Sequence, residues 1–381
     1  MKVHCLNAIS PKGTSLMEGY EFTDDLKAAD AVLVRSAKMH DMEVGEGLLS
    51  VARAGAGVNN IPLDEYADRG IVVFHTPGAN ANAVKELVIS AQLLGSRDIH
   101  GGMKWVEENA DDADIAKTTE KAKKAFAGRE IAGKTLGVVG LGAIGAMVAE
   151  AALALGMNVI GYDPFLTVNS AWRIPSAVVK STDLKKMAAQ CDYLTIHVPA
   201  TADTKGMISA EVLSVMKPDS VLLNFSRDAL VDEQALAEAL EAGRIGRYLT
   251  DFPNPVSVKM KNACVTPHLG ASTEEAEDNC AVKAAVQTMD YLENGNIVNS
   301  VNFPPVSLGV KSGPRVLVLS GADDALTGEI TAALAGCGIS EMARQTRGGR
   351  AAMLVGLNTA PEQAVADQIA AMEGVCRVRV L

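Results

Sequence analysis

The chain has 381 residues, 48% of them hydrophobic and 21% charged, with a formal net charge of −11. This length predicts two or three domains, and the composition excludes a disordered chain. The acidic balance argues against nucleic acid as a general partner, because phosphate backbones are bound by basic surfaces.

Six cysteines are scattered along the chain without Cys-x-x-Cys or zinc-ligand spacing, at positions 5, 191, 264, 280, 337 and 376. This distribution favours free thiols in a reducing cytosol over a disulfide framework, and it predicts no metal site. The opening "MKVHCLNAIS" is too short and polar for a signal peptide, and no apolar run approaches the roughly 20 residues of a membrane span. We therefore expect a soluble cytoplasmic protein.

Residues 1–95 alternate short apolar runs with helical stretches. The runs "AVLVRS", "VARAGAG" and "IVVFHTP" predict strands, and "LDEYADRG" between two of them predicts a helix. Such alternation is typical of βαβ units on a parallel sheet. Residues 104–127 are rich in Ala, Lys, Asp and Glu, and they predict a single solvated helix.

From Thr135 onwards the alternation restarts with stronger signals. Strands are predicted at "TLGVVGLG", "NVIGYDP", "YLTIHVP", "VLLNFS", "RYLTDF" and "ACVTPH", and helices at "SAEVLSVMKP" and "DEQALAEALEAGRI". After His268 the pattern predicts a helix of about six turns that ends at Gly295.

The run "VNFPPVSLGVKSGP" breaks every periodicity with prolines and glycines, and it predicts a linker over residues 304–313. The remaining residues, 314–381, predict the order strand, helix, strand, strand, helix, strand. That order is typical of a ferredoxin-like plait.

The strongest functional signal is "VVGLGAIG", in which Gly140, Gly142 and Gly145 form G-x-G-x-x-G between an apolar strand and an apolar helix. Glycines at these positions permit a tight turn and let the backbone approach a pyrophosphate at the helix N-terminus. Asp163, 23 residues after the first glycine, would accept hydrogen bonds from a ribose diol and repel a 2′-phosphate. The pattern therefore predicts NAD binding over a glycine-rich turn that only packs.

Two residues at predicted strand ends are candidates for chemistry. Arg227 follows "VLLNFS", where it could bind a substrate carboxylate or form a surface salt bridge with Asp228. His268 ends "ACVTPH", so both side chains should face one cleft, which favours an acid–base role over capping of a strand or helix. His197 and His75 also end strands, and we expect them to line the site.

The motifs "RAGAGVNNI", "VVGLGAIG", "YDP", "HVPATADTKGMI", "NFSRDALVDEQAL" and "VTPHLGAST" together resemble the D-2-hydroxyacid dehydrogenases, from about residue 30 to 303. The resemblance implies an α/β protein of two lobes, with a Rossmann NAD-binding domain inserted into a flavodoxin-like substrate domain. The plait is similar to ACT-type regulatory domains. The implied divisions are the substrate domain at 1–95 and 269–303, the Rossmann domain at 96–268, the linker at 304–313 and the plait at 314–381.

The function that the resemblance implies is NAD-dependent oxidation of a phosphorylated 2-hydroxy acid, 3-phosphoglycerate, by a homo-oligomer. One alternative is a reductase of hydroxypyruvate or glyoxylate, and another is an NAD-sensing corepressor without catalysis. A basic residue facing the far end of the substrate would favour the phosphorylated acid. The plait implies an amino-acid effector such as serine, but its first turn, "SGADDALTG", lacks the usual asparagine-proline-glycine pattern, so a structural or oligomerising role is the alternative.

The resemblance also implies roles for individual residues. Arg227 would hold the substrate carboxylate and the reacting oxygen, and His268 would exchange the hydroxyl proton. The backbone of Ala56 and Gly57 would bind the carboxylate. Arg53 would bind the phosphate, unless it forms a structural ion pair with a nearby acid, Asp64 or Glu65.

The cofactor residues that the resemblance implies fall into two groups. Those for the adenosine and pyrophosphate half are, besides the three glycines, Ala143, Ile144 and Asp163. Those for the nicotinamide side are Thr76, Val198, Phe225, Ser226 and Asp251.

One departure from the family concerns the partner of the histidine. Family members usually read Asp-Val-Phe and, after one or two residues, Glu-Pro, and that glutamate pairs with the histidine; here "DFPNP" carries Asn254. An amide can orient an imidazole but cannot raise its pKa with a charge. Three supports stay open: Asn254 as a catalytic residue, Asp251, or Glu274 or Glu275 on the next helix. The first two are favoured.

Overall fold

The computed structural model describes residues 1–381, apart from the side chain of Asn169. The chain forms two compact units. We call Met1–Asn80 with Glu274–Leu381 the discontinuous lobe, and Ala81–Thr273 the continuous lobe.

The first segment of the discontinuous lobe forms a five-stranded parallel sheet in the order β2-β1-β3-β4-β5. This is the flavodoxin-like order, so the predicted parallel sheet is confirmed. Its third strand is buried along its whole length, as expected for a sheet that is covered on both faces. The elements are β1 Lys2–Cys5, α1 Pro11–Thr14, β2 Glu21–Phe22, a 3₁₀ turn Leu26–Ala28, β3 Ala31–Val34, β4 Ser50–Arg53, α2 Leu63–Asp68 and β5 Val72–Phe74.

The continuous lobe carries a seven-stranded parallel sheet in the order β12-β11-β10-β9-β6-β7-β8. The order reverses between β6 and β9, which is the point where doubly wound sheets bind ligands. The helices are α3 Ala81–Ser96, α4 Ile99–Glu108, α5 Ile115–Ala122, α6 Ala143–Ala154, α7 Val168–Ala171, α8 Leu184–Ala188, α9 Ala210–Val215 and α10 Glu233–Glu241. The strands are β6 Thr135–Val139, β7 Asn158–Tyr162, β8 Val179–Ser181, β9 Tyr193–Ile196, β10 Val221–Asn224, β11 Arg247–Thr250 and β12 Ala263–Val265, and the 3₁₀ turns are Lys123–Phe126, Asp228–Leu230 and Ser257–Lys259.

Two sequence-based expectations differ from this lobe. The single helix predicted over 104–127 is wrong, because α4 ends at the C-cap Asn109 and α5 begins after Asp114. Helix α3 packs against α6 and β10 and belongs to the continuous lobe. The sequence-based boundary at residue 95 instead assigns this helix to the substrate domain.

The second segment of the discontinuous lobe begins with a helix of 21 residues and ends with a four-stranded antiparallel sheet in the order β14-β15-β13-β16. The predicted order strand, helix, strand, strand, helix, strand is confirmed. The elements are α11 Glu274–Asn294, β13 Arg315–Gly321, α12 Ala325–Leu334, a 3₁₀ turn Ala335–Cys337, β14 Ile339–Arg347, β15 Arg350–Leu357, α13 Gln363–Ala370 and β16 Val375–Val380. We call β13 to β16 with α12 and α13 the plait.

The plait shares a hydrophobic core with the rest of its lobe. Leu317 and Leu354 of the plait lie in one buried cluster with Phe74 of β5 and Tyr291 of α11. The segment 304–313 is fixed in place, since the buried guanidinium of Arg315 donates to three of its carbonyl groups, those of Leu308, Gly309 and Val310. None of the helices described combines the length and the apolar character that a bilayer span requires.

Candidate active site

The glycine-rich turn of the continuous lobe has a separate requirement at each glycine. Gly140 has a φ of +89°, and a Cβ there would lie 2.6 Å from the carbonyl oxygen of His197. A Cβ at Gly145 would overlap the carbonyl oxygen of Gly140, which explains the close packing of α6 on β6. Gly142 is the N-cap of α6, and a Cβ there would meet no atom within 4 Å. The space above Gly142 is therefore open to a ligand.

The start of α6 and the end of β7 complete this turn. Ala143 and Ile144 open the helix, where backbone N–H groups have no intrahelical partner and favour an anion. The carboxylate of Asp163 accepts from the backbone N–H of Leu141 (2.9 Å) and of Phe165 (3.0 Å). A carboxylate has lone pairs for further donors, so Asp163 both shapes the turn and can accept from a diol. These residues fit a dinucleotide.

The ends of β9 and β10 carry His197, Val198, Phe225 and Ser226. Burial lowers the pKa of His197 to about 3, so its ring is neutral, and Nε2 lies 2.9 Å from the hydroxyl of Thr195. The Ser226 hydroxyl donates to the carbonyl of Ile196, which ties the two strand ends together. Val198 borders the turn, whereas Phe225 is 7% exposed and packs in the core.

Arg227 and His268 both pack against the ring of Phe252. The guanidinium of Arg227 lies 5.6 Å from the ring centroid, and the imidazole centroid of His268 lies 5.1 Å from it at an interplanar angle of 57°. The topology explains this, because Phe252 follows β11, which pairs with β10 before Arg227 and with β12 before His268. Both side chains are exposed. Sequence reasoning missed Phe252, although an aromatic residue directly after Asp251 was a usable signal.

The salt bridge considered for Arg227 is not formed. The carboxylate of Asp228 accepts from the backbone N–H of Ala229, and Arg227 donates through Nη1 to the carbonyl of Ser226 (2.6 Å). The guanidinium of Arg227 therefore keeps donors for a substrate.

Asp251 holds the backbone that carries His268. The residue is 2% exposed, and its carboxylate accepts three hydrogen bonds of 2.7 Å, from the hydroxyl of Thr266 and from the backbone N–H groups of Leu269 and Gly270. His268 has a φ of +59°, a left-handed conformation that costs a non-glycine residue about 1 to 3 kcal/mol unless its surroundings fix it. The two N–H bonds just after His268 supply this constraint.

Asn254 does not support His268 in this structure. Its Oδ1 accepts from the backbone N–H groups of Val256 and Ser257, both at 2.9 Å, and its Nδ2 donates to both carboxylate oxygens of Glu233, at 2.9 and 3.0 Å. The amide is therefore committed to its own turn and to α10. Glu274 and Glu275 open α11 of the discontinuous lobe, and their suggested role stays a prediction.

The discontinuous lobe carries the remaining predicted residues at the ends of β4 and β5. Arg53 donates through Nε to the carbonyl of Arg35 (3.1 Å). The carbonyl of Ala56, next to Gly57, accepts from Nδ1 of His75 (2.9 Å). Of the acids considered as partners of Arg53, Glu65 pairs with Arg69 at 3.7 Å.

Thr76 differs from the other residues in this group. It is fully buried, and its hydroxyl has no hydrogen-bond partner among the residues described. Its backbone N–H donates to the carbonyl of Gly55 (3.0 Å), which joins the two loops.

Residues 91–270 match the family model described as the D-isomer specific 2-hydroxyacid dehydrogenase, NAD binding domain. These residues form an NAD-binding domain of the D-isomer specific 2-hydroxyacid dehydrogenase family.

Curated relatives extend the likeness beyond this domain. The chain is 37% identical over 300 residues to D-3-phosphoglycerate dehydrogenase of Synechocystis sp., which covers 76% of this chain and 52% of that protein. It is 35% identical over 302 residues to the enzyme of the same name from Methanocaldococcus jannaschii, covering 76% and 55%. The chain thus spans about half the length of the curated relatives it matches.

Solved structures show the same fold. The NAD⁺-bound 3-phosphoglycerate dehydrogenase of Entamoeba histolytica is 27% identical, with a TM-score of 0.62, and the match covers 79% of this chain and 98% of that one. A glyoxylate/hydroxypyruvate reductase of Sinorhizobium meliloti is 24% identical, with a TM-score of 0.64 and coverage of 79% and 96%. The second likeness is evidence for the fold alone.

Proposed function

We propose that this chain is an NAD-dependent dehydrogenase that oxidises D-3-phosphoglycerate to 3-phosphooxypyruvate, the first step of L-serine biosynthesis. The observation that carries the proposal is the placement of Arg227 and His268 against Phe252, in the lobe that also holds the open glycine turn. The relatives named D-3-phosphoglycerate dehydrogenase support the choice of substrate.

The fit of the glycine turn supports the proposed cofactor site. The residues that would hold NAD are Gly140, Gly142, Ala143, Ile144, Gly145, Asp163, Val198 and Ser226. NAD held by these residues would supply the acceptor for the hydride that leaves the substrate carbon. Two residues of the expected set act indirectly in this proposal, because Phe225 is buried in the core and Asp251 anchors a loop.

Arg227 binds the substrate in this proposal. Its guanidinium is positioned by the carbonyl of Ser226 and by the ring of Phe252. The remaining N–H groups can donate to a carboxylate in the bidentate geometry that arginine favours, and to the oxygen that becomes the carbonyl. The role of Ala56 and Gly57 in binding the carboxylate stays a prediction.

His268 moves the proton. Its exposed ring is held from one side by Phe252 and through the backbone by Asp251. In oxidation the imidazole accepts the hydroxyl proton of the substrate, and in reduction it returns a proton to the carbonyl oxygen. This assignment makes Asp251 and Phe252 positioning residues.

The plait is proposed as an ACT-type regulatory domain on the basis of the resemblance and its element order. An amino-acid effector, homo-oligomer formation and a cytoplasmic location stay predictions.

The test is the initial rate of NADH oxidation with 3-phosphooxypyruvate, hydroxypyruvate and glyoxylate at equal concentrations. A strong preference for the phosphorylated keto acid is expected. Equal or faster rates with the other two acids would assign the chain as a general reductase instead.

A further inference from the structure

The plait reaches the loops of the discontinuous lobe through the hairpin between β14 and β15. Its turn, residues 348–349, consists of two glycines with φ of 58° and 78°, a conformation that glycine adopts without strain. Arg347, just before the turn, donates through Nη2 to the carbonyl oxygens of Ser300 (2.7 Å) and Phe303. The end of the hairpin is therefore docked on the rest of the lobe by an arginine.

The docking point lies beside the carboxyl end of β5. Ser300 forms an antiparallel bridge with Phe74, the last residue of that strand. The next residue, His75, donates its backbone N–H to the carbonyl of Asn299 (3.2 Å). Arg347 is thus fixed at the end of the sheet where His75 contacts the loop that carries Ala56 and Gly57.

Two further cations lie near His75. Lys283 of α11 donates through Nζ to the carbonyl of Pro77 (2.6 Å). The guanidinium of Arg53 lies against Gly55, where an added Cβ would overlap it. Burial lowers the pKa of His75, whereas its hydrogen bond to the carbonyl of Ala56 raises it. The positive charges of Lys283, Arg347 and Arg53 lower this pKa further.

The charges of Lys283 and Arg347 are not neutralised by a bonded carboxylate. Among the residues described, the hydrogen bonds of these two side chains go to backbone carbonyl groups, and neither side chain forms an ion pair. A carbonyl group leaves the positive charge in place, and each side chain keeps other N–H donors. Positive charge concentrated in this way attracts a dianion.

We propose that Arg347, carried by the plait, forms with Lys283 part of the subsite that binds the phosphoryl group of the substrate. This inference rests on the proposed function and deepens it, because it names a substrate-binding residue in the C-terminal plait. A phosphoryl dianion offers three strong acceptor oxygens, and a guanidinium matches them with paired donors. The plait then contributes directly to the preference for a phosphorylated acid over an unphosphorylated one.

The test compares kcat/KM for 3-phosphooxypyruvate and for hydroxypyruvate in the wild type, R347Q and R344Q. Arg344 is the matched control, because it lies on the same strand and pairs with Asp324 at 2.8 Å. Loss of a charge-assisted hydrogen bond should raise the KM for the phosphorylated acid about 10- to 100-fold in R347Q, with the rate on hydroxypyruvate little changed. R344Q should leave both values near those of the wild type.

A second variant separates phosphate binding from docking of the hairpin. K283Q leaves Arg347 on its two carbonyl groups, and it should also weaken the preference for the phosphorylated acid. Inorganic phosphate should compete with 3-phosphooxypyruvate in the wild type and compete less well in both variants.

The outcomes separate this inference from the proposed function. The assignment of Arg347 would be overturned if kcat/KM fell equally for both substrates in R347Q, or if R347Q and K283Q kept the preference of the wild type for the phosphorylated acid. Either result would leave the proposed function intact. A wild type without preference for the phosphorylated acid would overturn the proposed function and this assignment together.

Discussion

The carboxylate of Asp251 accepts a hydrogen bond of 2.7 Å from the backbone N–H of Gly270, two residues beyond His268. A second bond of the same length comes from Leu269. Asp251 thus fixes the backbone that directly follows the histidine. The cofactor contact that the family resemblance implies for Asp251 stays a prediction.

D251N should lower kcat far more than it weakens NADH binding. The amide replaces one acceptor oxygen with an NH₂ group, which would face a backbone N–H in a buried position and leave it without a partner, at a cost of about 1 to 3 kcal/mol. We expect kcat to fall roughly 10- to 100-fold and the Kd of NADH to change less than about threefold. T266V, which removes only the hydroxyl donor, is the control. A loss of NADH affinity as large as the loss of kcat would instead favour a direct cofactor contact.

N254E should destabilise the protein and should not improve turnover. In the observed geometry the new carboxylate would face the carboxylate of Glu233, and the turn at 254–257 would lose an amide that both donates and accepts. Repulsion and a broken turn should cost about 1 to 3 kcal/mol in urea unfolding. The double variant N254E/E233Q should recover most of this loss. Faster turnover in N254E alone would show that position 254 can reach His268.

The glycine turn offers a pair of variants that separate cofactor binding from packing. G142A adds a Cβ into open space at a φ that alanine adopts, so the free energy of unfolding should change by less than about 0.5 kcal/mol. The same methyl group should weaken NADH binding about tenfold or more, because it occupies the approach of the pyrophosphate. G145A should instead destabilise the fold by about 1 to 3 kcal/mol, through overlap with Gly140. Unchanged NADH affinity in G142A would argue against this turn as the cofactor site.

His197 should make the protein less stable in mild acid. Its pKa in the folded state is lowered to about 3 by burial, whereas in the unfolded chain it is about 6.5. The stabilisation that comes from this neutral ring is fully present above the pKa of the unfolded chain. It is lost as pH falls towards the pKa of the folded state, because only the unfolded state takes up the proton in this range. The contribution between about pH 6.5 and pH 5 is up to about 2 kcal/mol. Urea unfolding at both pH values should therefore show that the free energy of unfolding falls less in H197Q than in the wild type. An equal fall in both proteins would contradict the buried neutral ring.

Local patterns predicted much of this molecule from the sequence. The parallel sheets follow from apolar runs that end in turn residues, and the glycine turn with Asp163 is a contiguous motif whose geometry depends on neighbouring residues. The plait was predicted for the same reason, because its elements are short and well separated.

Long-range pairings were beyond the reach of sequence patterns. The partner of Asn254 is Glu233, which belongs to another helix, so the spacing "DFPNP" could not show that the amide is already committed. The contact of Arg347 with Ser300 likewise depends on how the plait packs against its lobe. The break between α4 and α5 was missed because charged, alanine-rich composition does not mark where a helix ends.

The most direct test of the account is NADH formation from D-3-phosphoglycerate and NAD⁺ by the wild type and by H268Q, with the Kd of NADH measured for both. We predict turnover by the wild type, a loss of at least about 100-fold in H268Q, as expected for removal of a general base, and the same NADH affinity in both. The account would be contradicted if a wild type that binds NADH formed no NADH from the substrate, or if H268Q turned over as fast as the wild type.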